Sequence, residues 1–164
     1  MRRAIAAAAL LVVALTGCAA TTAAPEPVTT GEVVDYGFEG VTLDGAAFDG
    51  AELQGAPAVL WFWAPWCPTC RAQSGNVSAL AEQYAGEVAV VGVGGLDDGP
   101  AITEYANGVP HVTHLLDPEG EVWRHFEVAR QSTYTVLDAD GAIVFEGYLA
   151  DDALNELVAG LAEG

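Results

Sequence analysis

Two cysteines separated by two residues are the part of this sequence best suited to chemistry. Cys67 and Cys70 lie in the segment Trp-Ala-Pro-Trp-Cys-Pro-Thr-Cys-Arg, which follows an apolar run at residues 58–63. Such a run is typical of a strand buried on both faces. A helix is expected to begin at about Pro68, because proline is well tolerated in a first helical turn. Two cysteines three positions apart on that turn bring their sulfurs close enough to form a disulfide.

The predicted helix gives the two sulfurs different properties. Cys67 would face the unsatisfied N–H groups and the positive end of the helix dipole, which stabilise a thiolate and lower its pKa. We therefore expect Cys67 to be the accessible, reactive thiol and Cys70, one turn further on, to be shielded. The expected reaction is attack by the Cys67 thiolate on a partner disulfide, followed by attack of Cys70 on Cys67. The reverse steps would oxidise a partner dithiol.

Two other uses of a Cys-x-x-Cys pair are less well supported. A zinc site needs a second pair of ligands. The histidines of the chain are His111, His114 and His125, and nothing in the sequence directs them towards the cysteines. A purely structural disulfide would close a very small loop and would therefore stabilise little. No metal site and no cofactor are predicted.

The first 17 residues have the pattern of a secretory signal peptide. Arg2 and Arg3 precede an apolar run at residues 4–15, which is too short to span a bilayer as a stable helix. The sequence Leu-Thr-Gly-Cys ending at Cys18 resembles a bacterial lipobox, in which the cysteine sulfur receives diacylglycerol. We expect residues 1–17 to be a lipoprotein signal peptide and Cys18 to be the lipidated residue. The alternative is an ordinary signal peptide followed by a chance cysteine.

The cysteine count and the charge fit an exported protein. Lipidation of Cys18 would leave only Cys67 and Cys70 of the three cysteines, so no stray thiol would meet an oxidising compartment. Without the signal peptide, the chain has three arginines and no lysine against 23 acidic residues, a net charge near −20. This charge argues against binding to nucleic acid or to anionic lipid. Membrane attachment is therefore expected to come from the lipid alone.

The remaining sequence is interpreted as a tether and one domain. Residues 18–32 comprise the lipidated cysteine and a segment without apolar periodicity, which is typical of a flexible tether. Residues 33–164 are expected to begin with a β-rich extension that contains a hairpin turn at Asp44-Gly45. A final helix is expected from about Asp152, with Asp151 as its N-cap. Between them we predict a helix to residue 85, a strand at 88–93, a helix at 102–106, a strand at 112–116, one or two helical turns at 121–126, and strands at 133–137 and 142–148.

This order of elements predicts an α/β fold with a mixed central sheet. The early alternation of strands and helices indicates parallel pairing, and the late hairpin through Asp138-Ala139-Asp140-Gly141 indicates an antiparallel edge. Helices are expected to flank this sheet.

Residues 62–71 and 133–141 resemble the thioredoxin-like proteins of the TlpA/DsbE class, which are exported and often membrane-tethered. The similarity covers roughly residues 33–162. It implies a thioredoxin-like fold, with Cys67 as the attacking thiol and Cys70 as the resolving one. Thiol- or disulfide-containing exported proteins are the implied partners, together with a membrane protein that donates or accepts electrons. The residues expected along the groove for the partner are Trp66, Pro68, Gln131 and Ser132.

The chain departs from this family at positions close to the cysteines. Thioredoxin often has a buried acid where this chain has Trp61, and the family carries a cis-proline where this chain has Ser132 after Gln131. Because a cis bond before a residue other than proline costs about 3–4 kcal/mol, the Gln131–Ser132 bond is expected to be trans. The Ser132 hydroxyl would then be placed to donate a hydrogen bond to the Cys67 thiolate. Alternatively, the serine simply fills the space of the proline.

Two functions remain open at this stage. The first is an extracytoplasmic oxidoreductase, anchored by Cys18, that exchanges disulfides through Cys67 and Cys70. It would either reduce disulfides, as in cytochrome c maturation, or form them in exported proteins. The second is a thioredoxin-like binding module that holds a partner without turnover. Cycling of the two cysteines between dithiol and disulfide would distinguish these functions.

Overall fold

The computed structural model describes residues 31–164. The predicted signal peptide and Cys18 therefore lie outside the described residues. Within this part of the chain, no helix is both long enough and apolar enough to cross a membrane.

The described chain begins with the predicted β-rich extension. Strands β1 (Glu39–Val41) and β2 (Ala47–Asp49) pair antiparallel. The turn between them contains Gly45, which has a φ of 84° that favours glycine. A short 3₁₀ helix, Gly50–Leu53, follows directly and begins with a capping box formed by Asp49 and Glu52. Phe38, Phe48 and Leu53 are buried against the main sheet, so this extension covers one face of the sheet.

A five-stranded mixed sheet forms the centre of the fold. Its strands are β3 (Ala58–Trp63), β4 (Ala89–Gly94), β5 (Thr113–Leu116), β6 (Thr133–Leu137) and β7 (Ile143–Gly147). They lie in the order β5-β4-β3-β6-β7. Strands β3, β4 and β5 are parallel, whereas β6 pairs antiparallel with β3 and β7 pairs antiparallel with β6. Every residue of the central strand β3 is buried, which explains its continuous apolar sequence. The predicted mixed sheet is confirmed.

Helices cover both faces of this sheet. The α-helices of residues 31–164 are α1 (Pro68–Gln83), α2 (Gly99–Ala106), α3 (Glu121–His125) and α4 (Asp151–Ala162). Side chains of β3 alternate between two cores because successive residues of a strand point to opposite faces. Trp61 and Trp63 join the core with α1, α2 and α4, whereas Leu60 and Phe62 join the core with α3 and the N-terminal extension.

The predicted N-cap of the last helix is wrong. Helix α4 begins at Asp151, its N-cap is Ala150, and no side chain makes a capping hydrogen bond there. Asp151 and Asp152 instead lie in the first helical turn. Carboxylates are also favourable in that position, because they interact with the positive end of the helix dipole. The acidic residues marked the start of the helix correctly but not the residue that caps it.

Candidate active site

Cys67 is the N-cap of helix α1. The central strand β3 ends at Trp63, and a turn closed by the hydrogen bond from Cys67 N to Ala64 O, 3.1 Å, leads into the helix. The sulfur of Cys67 accepts a hydrogen bond from the backbone N–H of Cys70 at 3.2 Å. In most helices an oxygen of serine, threonine or aspartate takes this role. Here the capping atom is the sulfur, so the helix N-terminus directly stabilises a thiolate.

The two sulfurs have opposite pKa shifts, as the helix position predicts. Burial raises the pKa of Cys67, but hydrogen bonds from the Cys70 thiol, the Ser132 hydroxyl and the backbone N–H groups of Cys70 and Thr69 outweigh this effect and lower it. For Cys70, burial and the hydrogen bond its thiol gives to Cys67 raise the pKa to about 11. The site therefore holds one sulfur that ionises readily beside one that stays a thiol.

The Cys67 sulfur is less accessible than the sequence predicts. Both cysteines are free thiols, and Cys67 is only 3% exposed while Cys70 is fully buried. The expectation of an accessible Cys67 thiol is therefore wrong, although Cys67 is less buried than Cys70, as expected. Ser132 Oγ is one of the groups in contact with the Cys67 sulfur. A partner must therefore displace some local contacts to reach it.

Ser132 contacts both sulfurs of the cysteine pair. Its Oγ lies 3.0 Å from Cys67 Sγ and 3.2 Å from Cys70 Sγ. The residue precedes strand β6, and its N–H donates to Phe62 O at 2.8 Å. The Gln131–Ser132 bond is trans, as predicted, and Ser132 has a φ of 66°. Side chains other than glycine rarely adopt this left-handed conformation, so the loop holds Ser132 in a strained backbone geometry.

A buried chain of hydrogen bonds holds the backbone of Ser132 in place. Trp61 Nε1 donates to Gln73 Oε1 at 3.0 Å, and Gln73 Nε2 donates to the carbonyl oxygen of Ser132 at 3.3 Å. Gln73 is 3% exposed. Gln73 was not predicted from sequence, although it lies four residues before Val77 on the inward face of α1. A polar residue at that position of an otherwise apolar helix face was the available signal.

Trp66 and Leu96 form an exposed apolar pair beside the cysteines. Trp66 is 52% exposed and Leu96 is 50% exposed. Trp66 Nε1 donates to Leu96 O at 3.1 Å, and Leu96 has a φ of 60°. Pro68 is also exposed, whereas Gln131 is half-buried. Leu96 was not identified from sequence, because a leucine in a loop carries no pattern that indicates its backbone conformation.

The histidines do not gather around the cysteines. His114 is buried and bonds through Nε2 to Val109 O at 3.1 Å, and burial lowers its pKa. His125 Nε2 lies 2.6 Å from Asp35 O, and His111 lies 3.8 Å from Glu82. Among residues 31–164, no group of three or more histidine, cysteine or acidic side chains is arranged to hold a metal ion.

Comparisons with known proteins agree with this geometry. Residues 19–161 match the model of the Redoxin family. The chain is 36% identical over 162 residues to the soluble secreted antigen MPT53 of Mycobacterium tuberculosis, covering 96% of this chain and 90% of that protein. It is 30% identical over 121 residues to the thiol:disulfide interchange protein DsbE of Vibrio cholerae, covering 72% of this chain and 64% of that protein.

A solved structure extends the similarity to three dimensions. The structure of MTB dsbF in its mixed oxidized and reduced forms superposes with a TM-score of 0.72 at 43% sequence identity, covering 78% of this chain and 98% of that chain. The resemblance stated from residues 62–71 and 133–141 is confirmed, as is the thioredoxin-like α/β fold. The chain belongs to the Redoxin family and is a thiol–disulfide oxidoreductase of the thioredoxin type.

Proposed function

We propose that the protein works outside the cytoplasm and exchanges disulfides with exported proteins through Cys67 and Cys70. This proposal rests on the contrast between the environments of the two sulfurs. Cys67 caps helix α1 and has a lowered pKa, whereas Cys70 is buried behind it and has a raised one. Two relatives, a soluble secreted antigen and a thiol:disulfide interchange protein, support the same location and chemistry.

In the proposed cycle, Cys67 makes the first bond and Cys70 the second. The Cys67 thiolate attacks a partner disulfide, one partner sulfur leaves, and a mixed disulfide forms. Cys70 then attacks Cys67 Sγ, the second partner sulfur leaves, and a Cys67–Cys70 disulfide remains. The partner gains two electrons and the protein loses two. Run in reverse, the same steps oxidise a partner dithiol.

The hydrogen bonds around Cys67 favour the oxidising direction. Ser132 and the helix N-terminus stabilise the thiolate of Cys67, and this thiolate exists only in the reduced protein. Stabilisation of the reduced form makes a dithiol–disulfide pair a stronger oxidant. We therefore infer that the protein accepts electrons from partner dithiols and forms disulfides in them. A protein that serves a reductive pathway would instead need a disulfide that is stable relative to the dithiol.

Trp66, Pro68 and Gln131 complete the proposed contact surface for the partner. Trp66 and Pro68 are exposed next to Cys67, and Gln131 precedes Ser132 on the opposite loop. An extended partner segment between these two sides would bring its cysteine to Cys67 Sγ. A partner segment that displaces the contacts on the Ser132 side would also uncover the Cys67 sulfur.

We also propose that Cys18 anchors the protein. Residues 1–17 would be removed as a signal peptide, residues 18–32 would serve as the tether, and residues 33–164 would form the redox domain. The apolar run and the lipobox-like sequence support this division. Two acyl chains on one residue provide stable attachment, whereas a single chain would be marginal.

Turnover separates this function from a binding module. The oxidised protein is mixed with a dithiol-containing peptide and with oxidised glutathione to regenerate the Cys67–Cys70 disulfide, and the peptide disulfides are counted. An oxidoreductase converts many equivalents, in the wild type but not in Cys67→Ser. A binding module would retain the peptide without converting more than one equivalent, and this outcome would overturn the proposal.

A further inference from the structure

The resolving step requires a proton to leave Cys70, a residue with few polar neighbours. Among the described residues, the groups that bond to Cys70 Sγ are the Cys67 sulfur, the Ser132 hydroxyl and the backbone of Ala64. None of these groups is a carboxylate or an imidazole. The thiol of Cys70 is also strongly protonated, since burial raises its pKa to about 11. A neighbouring group must therefore assist the transfer of its proton.

Among the described groups that bond to Cys70 Sγ, one acceptor for its proton remains after the mixed disulfide has formed. In the resting dithiol, Cys70 donates its S–H to the Cys67 thiolate. Once Cys67 is bonded to a partner sulfur, its sulfur carries no charge and becomes a weak acceptor. The backbone N–H of Ala64 is a donor and cannot accept. The Ser132 hydroxyl, 3.2 Å from Cys70 Sγ, remains.

We propose that the Ser132 hydroxyl is a catalytic proton relay between Cys70 and the departing partner sulfur. This inference rests on the proposed function and adds a residue to its mechanism. Ser132 Oγ lies 3.0 Å from Cys67 Sγ, so a partner sulfur bonded to Cys67 begins the step close to the same hydroxyl. Ser132 Oγ thus lies close both to Cys70 Sγ, which loses a proton, and to the departing partner sulfur, which gains one.

The step balances without any further reactant. The Cys70 S–H bond breaks as its proton passes to Ser132 Oγ, and the hydroxyl proton of Ser132 passes to the departing partner sulfur. The electron pair left on Cys70 Sγ forms the bond to Cys67 Sγ, while the bond from Cys67 to the partner sulfur breaks. The partner leaves as a neutral thiol and the serine is regenerated. In the oxidising direction, the same hydroxyl protonates Cys70 as it leaves the disulfide.

Gln73 acts as a positioning residue for this relay. Its amide donates to the carbonyl oxygen of Ser132, and it accepts from Trp61 Nε1. Together with the bond from Ser132 N to Phe62 O, this contact fixes the backbone of Ser132 on both sides. The φ of 66° then directs the hydroxyl towards the sulfurs. Loss of the Gln73 amide should weaken the relay only through Ser132.

The test measures the resolving step separately, with oxidised glutathione as the probe. Reduced protein is mixed with the probe and quenched with acid at increasing times, and mass spectrometry counts the glutathionyl mixed disulfide on Cys67. In Ser132→Ala the mixed disulfide should accumulate, and its resolution should slow roughly 100-fold, a typical contribution of general acid–base catalysis. The pH profile of resolution should also move to higher pH, because Cys70 must then ionise without assistance.

Three further variants control the experiment. Ser132→Gly removes the same hydroxyl but suits the left-handed backbone, so it must show the same defect even where Ser132→Ala folds poorly. Thr133→Ala removes a hydroxyl from the adjacent residue, which bonds to Arg130 O instead of the sulfurs, and should resolve at the wild-type rate. Gln73→Leu should slow resolution less than Ser132→Ala does. In the Ser132→Ala background, it should not slow resolution any further.

The outcomes separate the relay from the proposed function. Resolution in Ser132→Ala and Ser132→Gly at the wild-type rate, with the wild-type pH profile, would overturn the relay while leaving the oxidoreductase intact. Failure of the wild type to form any mixed disulfide or intramolecular disulfide would overturn both.

Discussion

The hydrogen bond from Ser132 to the Cys67 thiolate yields the most specific prediction of this structure. Ser132→Ala removes an O–H group 3.0 Å from Cys67 Sγ and leaves the helix N-terminus and the bond from Cys70 N in place. A hydrogen bond to a charged group contributes about 1.5–3 kcal/mol. Since one pKa unit corresponds to about 1.4 kcal/mol, the Cys67 pKa should rise by about 1–2 units.

The assay should follow ionisation itself, because Cys67 is buried. Ultraviolet absorbance of the thiolate reports the titration without requiring a reagent to reach the sulfur. In the wild type, the first thiolate should appear at a pH below the ordinary cysteine value, and the signal from Cys70 should follow near pH 11. Thr133→Ala is the matched control and should titrate like the wild type. An unchanged Cys67 pKa in Ser132→Ala would refute stabilisation of the thiolate by the Ser132 hydroxyl. The serine would then only fill the space beside the sulfur.

Three further predictions test the other residues of the account. Cys70→Ser should trap mixed disulfides on Cys67, as seen on non-reducing gels, whereas Cys67→Ser should trap none; trapping by Cys67→Ser would reverse the roles. Cys18→Ala should abolish incorporation of radiolabelled fatty acid, and undiminished labelling would exclude Cys18 as the lipidated residue. Gln73→Leu should lower the free energy of unfolding by about 1–3 kcal/mol, because Trp61 Nε1 and a buried carbonyl lose their partner; denaturant unfolding that matches the wild type would contradict this.

The parts of the fold that depend on burial were predictable from sequence. Strand β3 is buried on both faces, and its unbroken apolar run at residues 58–63 indicated this directly. The start of helix α1 followed from Pro68, and the turn of the last hairpin from Asp138-Ala139-Asp140-Gly141. In each case, the residue types of a short segment reflect a structural requirement within that same segment, such as burial, a helix start or a turn.

The parts of the site that depend on distant contacts were not predictable. Gln73 bonds to the backbone of Ser132, which lies 59 positions away in the chain. The conformation of Leu96 accompanies a hydrogen bond from Trp66, 30 positions earlier. Sequence placed Ser132 opposite Cys67 only through the family resemblance, and its contact with Cys70 depends on a backbone φ that serine rarely adopts. Such features arise from packing between elements and leave no periodic pattern in the sequence.

The reduction potential of the Cys67/Cys70 pair tests the central claim most directly. The protein is equilibrated in glutathione buffers of defined ratio, quenched with acid, and analysed by mass spectrometry for loss of two hydrogens. We expect a single two-electron transition between the dithiol and an intramolecular disulfide, at a potential well above the roughly −270 mV of thioredoxin. A potential at or below that value would contradict the oxidising direction. Absence of any intramolecular disulfide across the whole range would contradict the proposed exchange chemistry itself.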